Sequence, residues 1–69
     1  MERKNFINLC RVTATKPKSV TVMYNGSKYY PISLQISFTN EGECRNTAIL
    51  QDTKQGKCLV YANINEIKE

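Results

Sequence analysis

The sequence predicts an all-β fold, one small barrel of five strands closed by a terminal helical turn. Three observations carry this expectation. Tyr30, Ile32, Leu34, Ile36 and Phe38 alternate without interruption with Pro31, Ser33, Gln35 and Ser37, which is the two-residue period of a half-buried strand. The pair Asn25-Gly26 separates this run from the alternating Val20, Val22 and Tyr24, and so announces a β-hairpin. Polar turns recur downstream, and no segment has the length and 3.6-residue period of a substantial helix.

The first strand is expected over residues 6–14, where Cys10, Val12 and Ala14 alternate with Arg11 and Thr13. Ile7 and Leu9 fall on the opposite parity, which leaves its register open and suggests a bulge. Lys16-Pro17-Lys18-Ser19 ends it, because proline lacks the N–H that a ladder interior requires. Residues 19–24 and 28–38 form the hairpin about Asn25-Gly26, where glycine takes a positive φ at no steric cost and asparagine tolerates one. Pro31 marks a bulge or an edge near the start of the longer strand. Asn40-Glu41-Gly42-Glu43 is the next turn, and residues 45–52 the next strand, with Ala48 and Leu50 on one face and Ile49 on the other. Thr53-Lys54-Gln55-Gly56-Lys57 turns the chain into a last strand over 58–62, with Cys58, Val60 and Ala62 in phase. Ile64 and Ile67 lie three apart, the spacing of one helical turn that plugs a barrel end.

Sixty-nine residues make one domain, spanning 1–69. A chain of this size buries only about 60% of the surface its unfolded form exposes, so the core is thin and a deep catalytic cleft is not expected. Apolar residues are 41% of the sequence and charged residues 23%, ordinary globular usage that argues against intrinsic disorder. No run approaches the ~20 apolar residues of a membrane span, and the start of the chain lacks the apolar stretch of a signal peptide, so a cytoplasmic protein without a membrane partner is expected. Cys10, Cys44 and Cys58 have no C-x-x-C spacing and the chain has no histidine, so reduced thiols packed as small apolar groups are expected rather than a metal site.

Catalysis is the function class the sequence excludes most directly. Without histidine there is no Ser-His or Cys-His pair, and Gly26, Gly42 and Gly56 stand singly in turns, so neither a phosphate loop nor a dinucleotide fingerprint exists. No cofactor is implied. The charge points instead to binding. Residues 3–28 hold Arg3, Lys4, Arg11, Lys16, Lys18 and Lys28 with no acid, whereas the rest of the chain is close to neutral, giving +4 in all. Cations gathered in one half favour a polyanionic or acidic partner.

The closing run from Ala48-Ile49-Leu50-Gln51-Asp52 through Tyr61-Ala62-Asn63-Ile64-Asn65-Glu66-Ile67 resembles the last two strands of SH3-like barrels. An OB-type barrel fits less well, since the helix usual between its third and fourth strands has no room. The set Lys16-Pro17-Lys18, Tyr24-Asn25-Gly26, Tyr29-Tyr30-Pro31-Ile32, Ala48-Ile49-Leu50-Gln51-Asp52 and Tyr61-Ala62-Asn63-Ile64 is similar to short uncharacterised proteins of phages and conjugative elements of Gram-positive bacteria. That resemblance implies a mobile-DNA setting, in which small proteins bind DNA, regulate transcription or block host defence nucleases as anti-CRISPR proteins do.

Two functions therefore stay open. One is a non-catalytic nucleic-acid binder using the basic N-terminal half, because contacts from Lys and Arg to phosphate dominate such affinities. The other is a protein-interaction module that inhibits or regulates a host nucleic-acid enzyme, meeting an acidic protein surface or a nucleoprotein complex. Both draw on Arg11, Lys16, Lys18, Lys28 and Tyr29. Tyr30 is in phase with the apolar stripe and is expected in the core, which turns Tyr29 outward beside Lys28, the pairing used in base stacking and in protein hot spots alike. Gln35 and Ser37 give the long strand a polar outer face, which either meets water or forms an edge that a partner strand extends.

Overall fold

The computed structural model describes residues 1–54 and 58–69 of the chain. Helix α1, Arg3–Thr15, precedes strands β1, Val22–Tyr24; β2, Ser27–Phe38; β3, Cys44–Asp52; and β4, Leu59–Asn63. A 3₁₀ turn, Ile64–Glu66, follows. The strands form one antiparallel sheet in the order β1-β2-β3-β4, curled into a half-barrel. The described residues are mostly β, with four strands and a helix where five strands were expected.

The expected first strand over 6–14 is α1. Its apolar side turns inward at Phe6, Leu9, Cys10 and Thr13, spaced three, four and seven residues along, and Phe6 is completely buried. The parity break at Ile7 and Leu9 was the mark of that helical period. The Thr13 hydroxyl donates to the Leu9 carbonyl at 3.1 Å and that of Thr15 to Arg11 at 3.2 Å, so these β-branched residues satisfy their polar groups within the helix. Thirteen residues are marginal as an isolated helix, and burial of Phe6, worth about 1.5–3 kcal/mol, helps to hold it on the sheet. Pro17 ends it by forcing Lys16 out of the helical region, to φ −132° and ψ 83°.

The hairpin about Asn25-Gly26 forms as expected, with Tyr24 opposite Ser27 and positive φ at both turn residues, 51° and 81°. Pro31 does mark a bulge: it pairs with Leu50, while Ser33 pairs with Ile49, so Ile32 is an extra residue in β2. This extra residue reverses the face assignment of the first part of the strand. Tyr29 and Pro31 share the inner face with Leu34, Ile36 and Phe38, and Tyr30 lies on the outer face. The expectation of Tyr30 in the core and Tyr29 pointing outward is thus corrected.

The core consists of Phe6, Val22, Ala48, Leu50, Ala62, Ile64 and Ile67, with Pro31 also buried. Ile64 and Ile67 plug the end of the half-barrel as their spacing indicated. Asn63 starts the 3₁₀ turn, its side-chain oxygen accepting from Asn65 N–H at 2.9 Å. The chain then returns to β1, where Met23 and Lys68 exchange backbone hydrogen bonds of 2.7 and 2.9 Å. The Met1 amine donates to the carbonyls of Ile64 and Ile67, both at 3.1 Å, drawing α1 to the same end.

At the other end β2 and β3 run on as a two-stranded arm to the turn at Asn40–Gly42, and the longest dimension of the molecule is 37 Å. The Thr39 hydroxyl accepts from the Glu41 and Glu43 N–H groups, and Gly42 takes φ 84°. The turn is as expected. The burial of the stripe is not, because Ile36 is 45% and Phe38 74% exposed, beyond the reach of the core. Of the turn expected over 53–57, residues 55–57 lie outside the described residues; Asp52 Oδ1 accepts from Lys54 N–H at 2.7 Å before them.

Candidate binding surfaces

The five residues singled out from the sequence do not form one cluster of like character. Arg11 is exposed on α1, and Lys16 and Lys18 are exposed in the loop joining α1 to β1. Lys18 takes φ 66°, a left-handed conformation that costs a residue with a Cβ. Lys28 is exposed on the outer sheet face opposite Met23. Tyr29 faces inward beside Val22, half-buried, its ring centroid 6.1 Å from that of Tyr24 with the planes tilted by 58°. That is a cross-turn aromatic contact which stabilises the hairpin, so Tyr29 is no freely exposed stacking platform.

Two apolar surfaces that sequence reasoning passed over are left uncovered by the fold. On the outer face, the ladder places Tyr30, Gln51 and Leu59 in one row and Ser33, Ile49 and Tyr61 in the next. Leu59 is 51% and Tyr61 60% exposed, and both follow from parity, since Val60 and Ala62 occupy the inner positions of β4. On the inner face, a shallow groove of about 350 Å³ runs between α1 and β2. Ile7, Cys10 and Ala14 line it from the helix, and Ile32, Leu34 and Ile36 from the strand. Arg11 stands at the same groove and is its charged member. Ile36 and Phe38 continue the apolar line along the arm, where Asn46, opposite Ile36, has a buried Oδ1 with no hydrogen-bond partner.

The cysteines fit this picture in different ways. Burial beside the groove pushes the Cys10 thiol up from its ordinary 9.0 to about 11, so it stays neutral and serves as apolar surface. Cys44 and Cys58 are exposed rather than packed, which corrects the expectation for those two, and none of the three is in a disulfide. A further depression, about 690 Å³, lies between the Asn25-Gly26 turn and the C-terminal Glu66, Lys68 and Glu69. It is an open trough. Among the described residues, no three of the Cys, Asp and Glu side chains gather where they could hold a metal. No helix of the structure is long and apolar enough to cross a membrane.

No protein family, no curated protein and no solved structure matches the chain. Its surfaces therefore have to be read from their own chemistry.

Proposed function

We propose that the chain is a non-catalytic protein-interaction module for an acidic partner, built on an open SH3-like barrel. The architectural part is supported by the strand order and by the 3₁₀ turn, after which Lys68 pairs with β1 in the position of a fifth strand reduced to a single bridge. The functional part rests on one observation. Exposed apolar side chains form contiguous patches, Leu59 with Tyr61 and Ile36 with Phe38. Contiguous apolar surface of this kind marks protein contacts.

In the mobile-element setting implied by the resemblance, the partner is a host nucleic-acid enzyme or its nucleoprotein complex, met through an acidic protein surface. A second reading, direct nucleic-acid binding, is favoured by a different observation: residues 3–40 contain no acid, and Arg11, Lys16, Lys18 and Lys28 are all exposed.

Affinity capture from bacterial lysate, with and without nuclease, separates the two. A protein partner retained after nuclease treatment and lost on Leu59→Ser with Tyr61→Ser, or on Ile36→Lys with Phe38→Lys, supports the interaction module. Loss of every partner to nuclease, together with DNA affinity that falls steeply with salt and with Lys16→Glu plus Lys18→Glu, supports the nucleic-acid reading.

A further inference from the structure

The open edge of β2 has the features of a docking site. β1 covers only residues 27–29 of β2, so from Tyr30 to Phe38 the strand pairs on one side alone among the described residues. Thr39 N–H donates to the Glu43 carbonyl at 2.9 Å, closing a hydrogen-bonded pair next to Phe38↔Cys44. In an antiparallel ladder bonded and non-bonded pairs alternate. The pairs Phe38↔Cys44, Ile36↔Asn46 and Leu34↔Ala48 are therefore the non-bonded ones, and the N–H and C=O groups of Phe38, Ile36 and Leu34 point to the open side.

Proteins protect such edges with proline, bulges or charged side chains. Here Pro31 and the bulge at Ile32 guard the first part, and nothing guards the rest: residues 34–38 read Leu, Gln, Ile, Ser, Phe. The inner-facing side chains of that unguarded stretch, Leu34 and Ile36, also form the strand wall of the groove under α1. Backbone donors and acceptors thus lie along the rim of an apolar trough. This is the layout in which an added strand gains affinity from its main chain and selectivity from alternate side chains.

Resting on the proposed function above, we propose that residues 34–38 of β2 receive an extended acidic segment of the partner protein as an added strand, whose groove-facing side chains are apolar against Ile7, Cys10 and Ala14 and acidic beside Arg11. Charge selects this occupant. Arg11 stands at the groove, and the whole stretch of chain that builds it lies within the acid-free residues 3–40. Residues 34–38 of a second copy would bring no carboxylate to Arg11, whereas a glutamate or aspartate among the groove-facing residues of a partner strand would meet it.

The test uses the intact chain, labelled for amide NMR, and three synthetic peptides of about ten residues, the length of a strand with flanks. One alternates valine with serine and carries a glutamate in place of the central valine, one carries lysine at that place, and the third is the glutamate peptide N-methylated at every second residue. The glutamate peptide is expected to shift the amides of Leu34, Ile36 and Phe38 and slow their hydrogen exchange, with the other two binding about tenfold more weakly or less. Ile36→Lys with Phe38→Lys should abolish the effect. Arg11→Glu, on an exposed helix position, should reverse the preference between the glutamate and lysine peptides without touching the strand.

Absence of protection at those three amides with every peptide would overturn the proposal. So would their protection in the free chain with concentration-dependent sedimentation, which would assign the edge to a second copy. A DNA oligonucleotide that shifts the same amides more than the glutamate peptide would do so too. Nuclease-resistant capture that survives the edge variants and fails with Leu59→Ser and Tyr61→Ser overturns the edge and leaves the interaction module standing. Capture lost entirely to nuclease overturns the module itself.

Discussion

The plugged end of the half-barrel and the β2–β3 arm are built from similar residues and end up in opposite conditions. At the plugged end Phe6, Val22, Leu50, Ile64 and Ile67 are 0–5% exposed, drawn together by α1, the 3₁₀ turn and the Met23–Lys68 bridge. On the arm, Ile36 and Phe38 hold the same inward phase as Leu34 and still meet solvent. Alternation decides which way a side chain points within a sheet; only a covering element decides whether that direction is dry. Near β2 that cover is α1, and the arm reaches past it.

The comparison breaks most visibly at its buried side. Phe6→Ala should cost about 3–5 kcal/mol and Leu50→Ala about 2–5 kcal/mol, which against a total stability of ~5 kcal/mol leaves little folded protein. Urea titration followed by circular dichroism checks this, and a midpoint within experimental error of the parent would mean that α1 does not seal the core. Gly26→Ala comes next. No atom lies within 4 Å of the added Cβ, so its cost of about 1 kcal/mol would be the backbone strain of φ +81° alone. A larger loss would show that the turn also controls the register of β1.

Ile36→Asp sharpens the contrast from the exposed side. At 45% exposure the carboxylate can reach water, so the change should cost about 1 kcal/mol or less in the same titration. Unfolding on this substitution would show that the arm is covered after all, and would remove the open edge from consideration.

Most of the β architecture is legible in the sequence, for reasons that lie in particular residues. Asn25-Gly26 permits only a few turn geometries, Pro31 cannot donate to a ladder, and Ile64 with Ile67 has the spacing of one helical turn. The helix is less legible because Ile7, Val12, Thr13 and Thr15 are β-branched and Phe6, Leu9, Cys10 and Thr13 form a short helical stripe in which one member is polar. Of the candidate site, the cations are readable since exposure follows from charge, and Arg11, Lys16, Lys18 and Lys28 are all at the surface. Tyr29 is not, because its direction depends on one extra residue in β2 whose presence only the pairing with β3 reveals. The exposure of Phe38 depends on how far α1 extends, a tertiary fact with no local signature.

The smallest expected effect concerns the cysteines, which sample both regions. Cys44 and Cys58 should react with iodoacetamide at neutral pH well before Cys10, as read by peptide mass spectrometry; equal rates would mean that Cys10 is not shielded beside the groove. The pH dependence has a definite sign. The folded chain keeps the Cys10 proton up to about pH 11, whereas the unfolded chain releases it near the ordinary 9.0, so the unfolded state binds fewer protons in between. The contribution is complete below pH 9 and is lost as pH rises towards 11, and Cys10→Ala should flatten that part of the stability curve.

Ile32 has a consequence for comparing this chain with others. Because it is the surplus residue in the pairing of β2 with β3, its removal would leave Tyr29, Pro31, Leu34 and Ile36 on the faces they now occupy. Losing any one residue between Leu34 and Phe38 would instead turn every position beyond it over. A relative whose strand is one residue shorter should therefore carry its gap at Ile32. An alignment that opens the gap a few positions later would match surface residues of one protein with interior residues of the other.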